Sequence, residues 1–163
     1  MTATATRLIV YRPPAWRIVA VALRFELDFA ETRVFARLSL ERHPARDDNT
    51  PLRLHGEDLE TVALRLDGRL LASADYRIDE GGLEIAAAPS PCVLESEVLI
   101  RPEQNTRLEG LYRSGEFLTT QCEADGFRRM TWFIDRPDLL ATYRVRLEAD
   151  RTRFPLLLAN GNP

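Results

Sequence analysis

At 163 residues, with 45% hydrophobic and 29% charged side chains and a formal net charge of −3, the chain is long enough to bury a sizeable core. So small a net charge implies no preference for nucleic acid, a membrane surface or a basic partner. All 22 basic side chains are arginine and they are scattered, so no basic patch follows. Cys92 and Cys122 are too few for a disulfide framework, and two unpaired buried thiols in a reducing cytosol are expected, with one bridge between them left open. The opening MTATATRLIVYRPPAW lacks a basic region followed by an apolar stretch of secretory length, and no run of about eighteen apolar residues exists. A cytoplasmic protein with no membrane partner is the expectation.

Period-two alternation dominates the chain and marks strands with one buried face. From Val19 to Phe29 the odd positions are all apolar (Val19, Val21, Leu23, Phe25, Leu27, Phe29), while Arg24, Glu26 and Asp28 lie between them. A helix would scatter these side chains, whereas a strand puts them on one face. After Ala30-Glu31-Thr32, the series Val34, Ala36, Leu38, Leu40 reads as an antiparallel partner, and His43 to Pro51 as a loop. Leu52 and Leu54 predict a short strand. Val62, Leu64 and Leu66 predict another, closed by Asp67-Gly68, both of which tolerate positive φ in a two-residue hairpin turn. Tyr76 and Ile78, a turn at Gly81-Gly82, then Leu83 and Ile85 repeat the theme, and Leu94, Ser96, Val98 and Ile100 alternate again.

Short helical turns are expected near 124–129 and 137–141, the second with Pro137 in its first turn and Asp135 as its cap. Tyr143, Val145 and Leu147 predict a further strand, and Phe154 to Leu158 one buried on both faces. Asn160-Gly161 then opens a turn with no returning strand, the mark of a truncated piece. About eight short strands with turn signals every eight to twelve residues predict an all-β fold of antiparallel sandwich or strongly bent sheets. Residues 1–163 are expected to be a single domain.

Chemistry is sparse. A zinc site needs three or four Cys, His or carboxylate ligands, and the two histidines, His43 and His55, lie outside any H-E-x-x-H helix. His55 reads as a surface or turn residue. Ser114, in YRSGE, lacks the first glycine of G-x-S-x-G and reads as part of a hairpin turn at Ser114-Gly115. Gln121 and Glu123 stand two apart at the end of the strand Phe117, Thr119, Gln121, so an amide and a carboxylate project together from a strand end. Cys122 between them faces inward as packing. Trp132 and Phe133 are expected in the core, and Arg128 and Arg129 to be solvated or locally paired.

The segment GLYRSGEFLTTQCEADGFRRMTWFIDRPDLLATYRVRLEAD, followed by FPLLLANGN, resembles the N-terminal domain of the bacterial aminopeptidase N family, gluzincin-type zinc metallopeptidases. The order of a GLY-S-G hairpin, TQCE-A-GFR, a DRPD turn and an L-NGN turn is the same, and PLRLHGEDL upstream also matches. The resemblance implies a saddle-like all-β domain, as also in leukotriene A4 hydrolase, that caps a catalytic domain missing from this chain. The parent is implied to be a zinc-dependent exopeptidase that takes single residues from peptide N-termini. Glu123 is implied to bind the substrate's free α-amino group and Gln121 to line the first specificity pocket. The family's G-A-M-E-N motif, its H-E-x-x-H helix and its downstream glutamate ligand are absent. No catalytic residue, no metal ligand and no bound cofactor are therefore expected in this chain, and no activity from it alone. A non-catalytic scaffold homologue and an independent β-sandwich binding module are the alternatives. An exposed apolar patch is expected where the catalytic domain would dock.

Overall fold

The computed structural model describes residues 11–46 and 49–162. Eleven strands carry its regular structure: β1 (Trp16–Leu27), β2 (Thr32–Arg42), β3 (Leu52–Leu54), β4 (Glu60–Leu66), β5 (Arg69–Leu70), β6 (Arg77–Asp79), β7 (Gly82–Ile85), β8 (Cys92–Ile100), β9 (Gly110–Ser114), β10 (Phe117–Gln121) and β11 (Thr142–Ala149). A six-stranded sheet runs in the order β11-β1-β2-β8-β4-β5, a three-stranded sheet β3-β7-β6, and β9 and β10 pair as a hairpin. The fold is all-β, as the alternation predicts, with one correction. β11 pairs parallel to β1, from Ala20↔Thr142 to Leu27↔Ala149. Parallel pairing needs a long connection, and the intervening chain supplies it with no α-helix among the described residues.

One core fills the space between the sheets. The inner faces of β2 (Val34, Ala36, Leu38, Leu40) and β8 (Leu94, Val98, Ile100) share one buried cluster with Leu52 and Leu54 of β3 and with Leu83 and Ile85 of β7. Two buried hydroxyls in this core, Ser96 and Thr131, bond each other at 3.0 Å and so offset the cost of their burial.

The period-two register slips twice. In β1 the pairing with β2 shifts between Ile18 and Ala20, and in β4 the pairing with β8 shifts between Thr61 and Ala63. One extra residue in a strand moves the following side chains to the other face. Val19 and Val62, both expected inside, are each 47% exposed, and Trp16 and Ile18 take the buried places at the start of β1. Phe29 lies beyond the end of β1, half-buried.

Asp67-Gly68 makes its predicted turn, with φ of 50° and 81° and Leu66 paired to Arg69. The other two hairpins sit one residue away from the predicted turn. Asp79 pairs with Gly82, so the loop is Glu80-Gly81, and Ser114 pairs with Phe117, so the loop is Gly115-Glu116. The helical expectations shrink to a single 3-10 turn at Phe127–Arg129, and 137–141 holds only a turn around Pro137 and Asp138. Phe154 to Leu158 is not a strand. Pro155 has no N–H to give a ladder, and Leu156 and Leu158 are 71% and 79% exposed.

Candidate functional site

The last rung of the β9–β10 hairpin joins Gln121 to Gly110. Beyond it the chain leaves the sheet, so Glu123 stands on a bend rather than on the strand. Cys122 packs against the core, and burial pushes its thiol up to about 11. That inward anchor leaves Gln121 and Glu123 outside, both exposed. Gln121 Nε2 donates to the Glu123 carbonyl oxygen at 3.2 Å, which ties the two residues together. The peptide between Glu123 and Ala124 is cis.

The two arginines that follow Glu123 in sequence, Arg128 and Arg129, are engaged elsewhere. Arg128 donates through Nε to Asp135 Oδ2 at 2.7 Å, pairs with Asp125, and reaches Glu57 at 3.6 Å. The Arg129 side chain is 7% exposed and is surrounded by Glu57, by Asp58 at 2.5 Å and by Glu109 at 3.3 Å. Both arginines are thus locally paired. The Glu123 carboxylate takes no hydrogen bond and no ion pair among the described residues. An exposed anion with no partner of its own can accept a cation from outside.

Asp135 does cap a turn, though not the predicted one. Its Oδ2 accepts from the N–H of Gly126 at 2.9 Å and of Arg128 at 3.2 Å, closing the 3-10 turn before it instead of a helix after it. Gly126 has φ of 129°, and a Cβ there would stand 3.0 Å from the Gln121 carbonyl oxygen, so glycine alone fits. His55 is half-buried and not a surface residue. It pairs with Phe133 in both directions at 2.7 and 3.0 Å, and its Nδ1 accepts from the Asp135 N–H at 3.0 Å. Burial, seconded by the Arg128 charge, lowers its pKa below the usual histidine value. Sequence periodicity carries no sign of this polar hub, because its Asp135 bonds reach back seven and nine residues and its His55 bond joins residues 80 apart. Trp132 and Phe133 are core, and Trp132 Nε1 donates to Thr61 at 2.9 Å.

The described residues do not fit a zinc site. No group of three or more His, Cys, Asp or Glu side chains among the described residues could hold a metal, and the Nδ1 atoms of His43 and His55 both already accept backbone N–H bonds. Cys92 and Cys122 are free thiols. A cleft of about 520 Å³ opens on the solvent side of the six-stranded sheet, lined by Arg24, Phe35, Arg37 and Glu95 among others, and neither Gln121 nor Glu123 reaches it. No described helix is long and apolar enough to cross a membrane.

Residues 23–163 match the family model of the peptidase M1 N-terminal domain. The chain belongs to that family. Its peptidase M1 relatives include the aminopeptidase N of Caulobacter vibrioides, 49% identical over 99% of this chain and 18% of that protein, and the aminopeptidase N of Escherichia coli K12, 43% identical over 93% and 17%. The crystal structure of Legionella pneumophila aminopeptidase A in complex with aspartic acid is 30% identical. It superposes with a TM-score of 0.87 on 96% of this chain and 18% of its own. The chain thus spans under a fifth of the length of these M1 relatives.

Proposed function

We propose that this chain is the substrate-capping N-terminal domain of a zinc-dependent aminopeptidase, acting as one unit over residues 1–163. In this reading Glu123 receives the free α-ammonium of a peptide, and Gln121 lines the pocket for its first side chain. Zinc and its chemistry belong to the catalytic domain of the same polypeptide, a reading supported by the lack of a ligand set for the metal among the described residues. The observation that carries the reading is the exposed Glu123 carboxylate, unpaired among the described residues while Arg128 and Arg129 are committed to other carboxylates.

The physics is direct. An ammonium enclosed without a partner costs several kcal/mol, so a closed site must supply an anion. An amine held at a fixed carboxylate also sets how far the chain extends into the site, which selects removal of one residue at a time. The exposed apolar residues Leu140, Tyr143, Val145, Leu156 and Leu158 support docking of a further domain, because a chain on its own gains nothing by presenting them to water. A reducing, cytoplasmic location is supported by the two free thiols.

In the full-length protein, Glu123→Gln should lower kcat/KM for an aminoacyl anilide by roughly 10- to 100-fold, the worth of a hydrogen bond to a charged group. Kinetics unchanged from the parent would remove Glu123 from the site. Purified 1–163 should show no anilide hydrolysis, and robust turnover would overturn the division of labour.

A further inference from the structure

Glu123 rides on a short excursion, Cys122 to Asp125, between two fixed points. The first is the Gln121↔Gly110 rung that ends β10. The second is Gly126, whose N–H is held by Asp135 Oδ2. The two ends pinch together, since a Cβ on Gly126 would lie 3.0 Å from Gln121 O and 3.3 Å from Gly110 N. One carboxylate oxygen makes the closure, because Asp135 Oδ2 also takes the Arg128 N–H and Arg128 Nε. The Asp135 side chain is only 7% exposed, and it remains an anion there: burial opposes the charge, but the bonds from Arg128 and two backbone amides outweigh it and lower the pKa. Asp135 is itself held from the far side by His55, through the Asp135 N–H and the Phe133 pairing, so the anchor is tied to the end of β3.

We infer that Asp135 is the positioning residue for Glu123: its buried carboxylate closes the 122–125 excursion and fixes where the amine-binding carboxylate stands. The inference rests on the reading of Glu123 as the amine receptor. It differs from a purely structural role in one respect, that the cost of losing Asp135 must pass through Glu123.

A double-mutant cycle in the full-length protein separates the two. The parent, D135N, E123Q and the double variant are assayed with alanine p-nitroanilide, and hydrogen exchange is followed over 122–128. D135N should cut kcat/KM about 10-fold in the parent, mainly through KM, as expected for a displaced binding group. In the E123Q background the same change should cost less than about 2-fold, because the group it positions is already gone. Exchange at Gly126 and Arg128 should quicken in D135N. An equal loss in both backgrounds makes Asp135 merely structural and overturns the inference, as does a silent D135N beside an effective E123Q. A silent E123Q instead sinks the amine reading, and Asp135's positioning role with it. Should D135N fail to fold, R128Q removes the Arg128 side-chain bond and keeps both backbone bonds to Asp135. A smaller loss confined to the Glu123 background supports the inference, and one that persists with E123Q refutes it.

Discussion

The β2–β8 ladder and the segment 122–135 lie in the same molecule and are stabilised by different physics. In the ladder every second side chain is buried, and neighbours such as Val21, Leu38 and Leu94 line up across three strands. The segment 122–135 makes only one 3-10 turn; Met130, Trp132, Phe133 and Ile134 pack in the same core, but its bends are held by Asp135, His55, Arg128 and Arg129 through polar bonds, two of them to residues 71 and 80 positions away. Apolar packing is spread over many weak contacts and does not depend on protonation. A polar hub concentrates its stability in a few atoms that can be neutralised one at a time. The ladder should therefore answer to cavities, and the segment to charge.

The largest effect is expected in the ladder. Leu38 is 1% exposed at the centre of β2, and Leu38→Ala should cost about 3 kcal/mol in denaturant unfolding, from lost transfer energy and the cavity left behind. The loss should be the same at pH 7.5 and pH 5.5. A loss under about 1 kcal/mol would mean that the core can collapse around the gap, which would blur the contrast.

Arg129→Met comes next. The apolar body fits the buried stem, but Glu57, Asp58 and Glu109 lose their shared cation. Those three carboxylates are all substantially exposed, so water takes part of the load and the expected cost is about 2 kcal/mol, less than for a fully buried pair. Added salt should shrink it by screening the carboxylates from one another. Salt-independent destabilisation would show that packing, not charge, governs this part of the segment as well.

The same contrast explains what was legible in the sequence. Alternation reported the ladder almost residue by residue, since periodicity and burial are one fact in a strand with a covered face. It failed at Val19 and Val62, where an inserted residue shifts the phase without leaving a sequence mark. It failed differently at Phe154 to Leu158, because an apolar run says that a segment prefers cover but not that this chain provides it. Gln121 and Glu123 were legible as a pair facing outward, their exposure following from the inward Cys122 between them. Asp135 was legible only as a capping residue. Which turn it caps depends on a bond back across nine residues, and no local rule encodes that direction.

The smallest effect isolates the segment by pH. His55 Nδ1 accepts the Asp135 N–H, which requires the neutral ring, and burial together with the Arg128, Arg53 and Arg136 charges lowers its pKa, with Asp135 opposing. The folded state therefore binds the proton less readily than the unfolded chain. Stability from this group is complete above the unfolded value near 6.5 and is lost as pH falls through it toward the lowered folded pKa, because over that window the unfolded chain carries the extra proton. The carboxylates with lowered pKa values, Asp28, Asp135 and Asp138 among them, act in the same direction but only in the acid range where Asp titrates, below this window. Unfolding free energy measured between pH 7.5 and 5 should accordingly decline in the parent and stay flat in His55→Gln, whose side chain does not titrate. Amide protection over 122–135, corrected for the intrinsic pH dependence of exchange, should fall in the parent across that range and stay level in His55→Gln. A loss of protection as large in His55→Gln as in the parent would show that a group other than His55 carries the pH response and that its buried ring does not hold the segment.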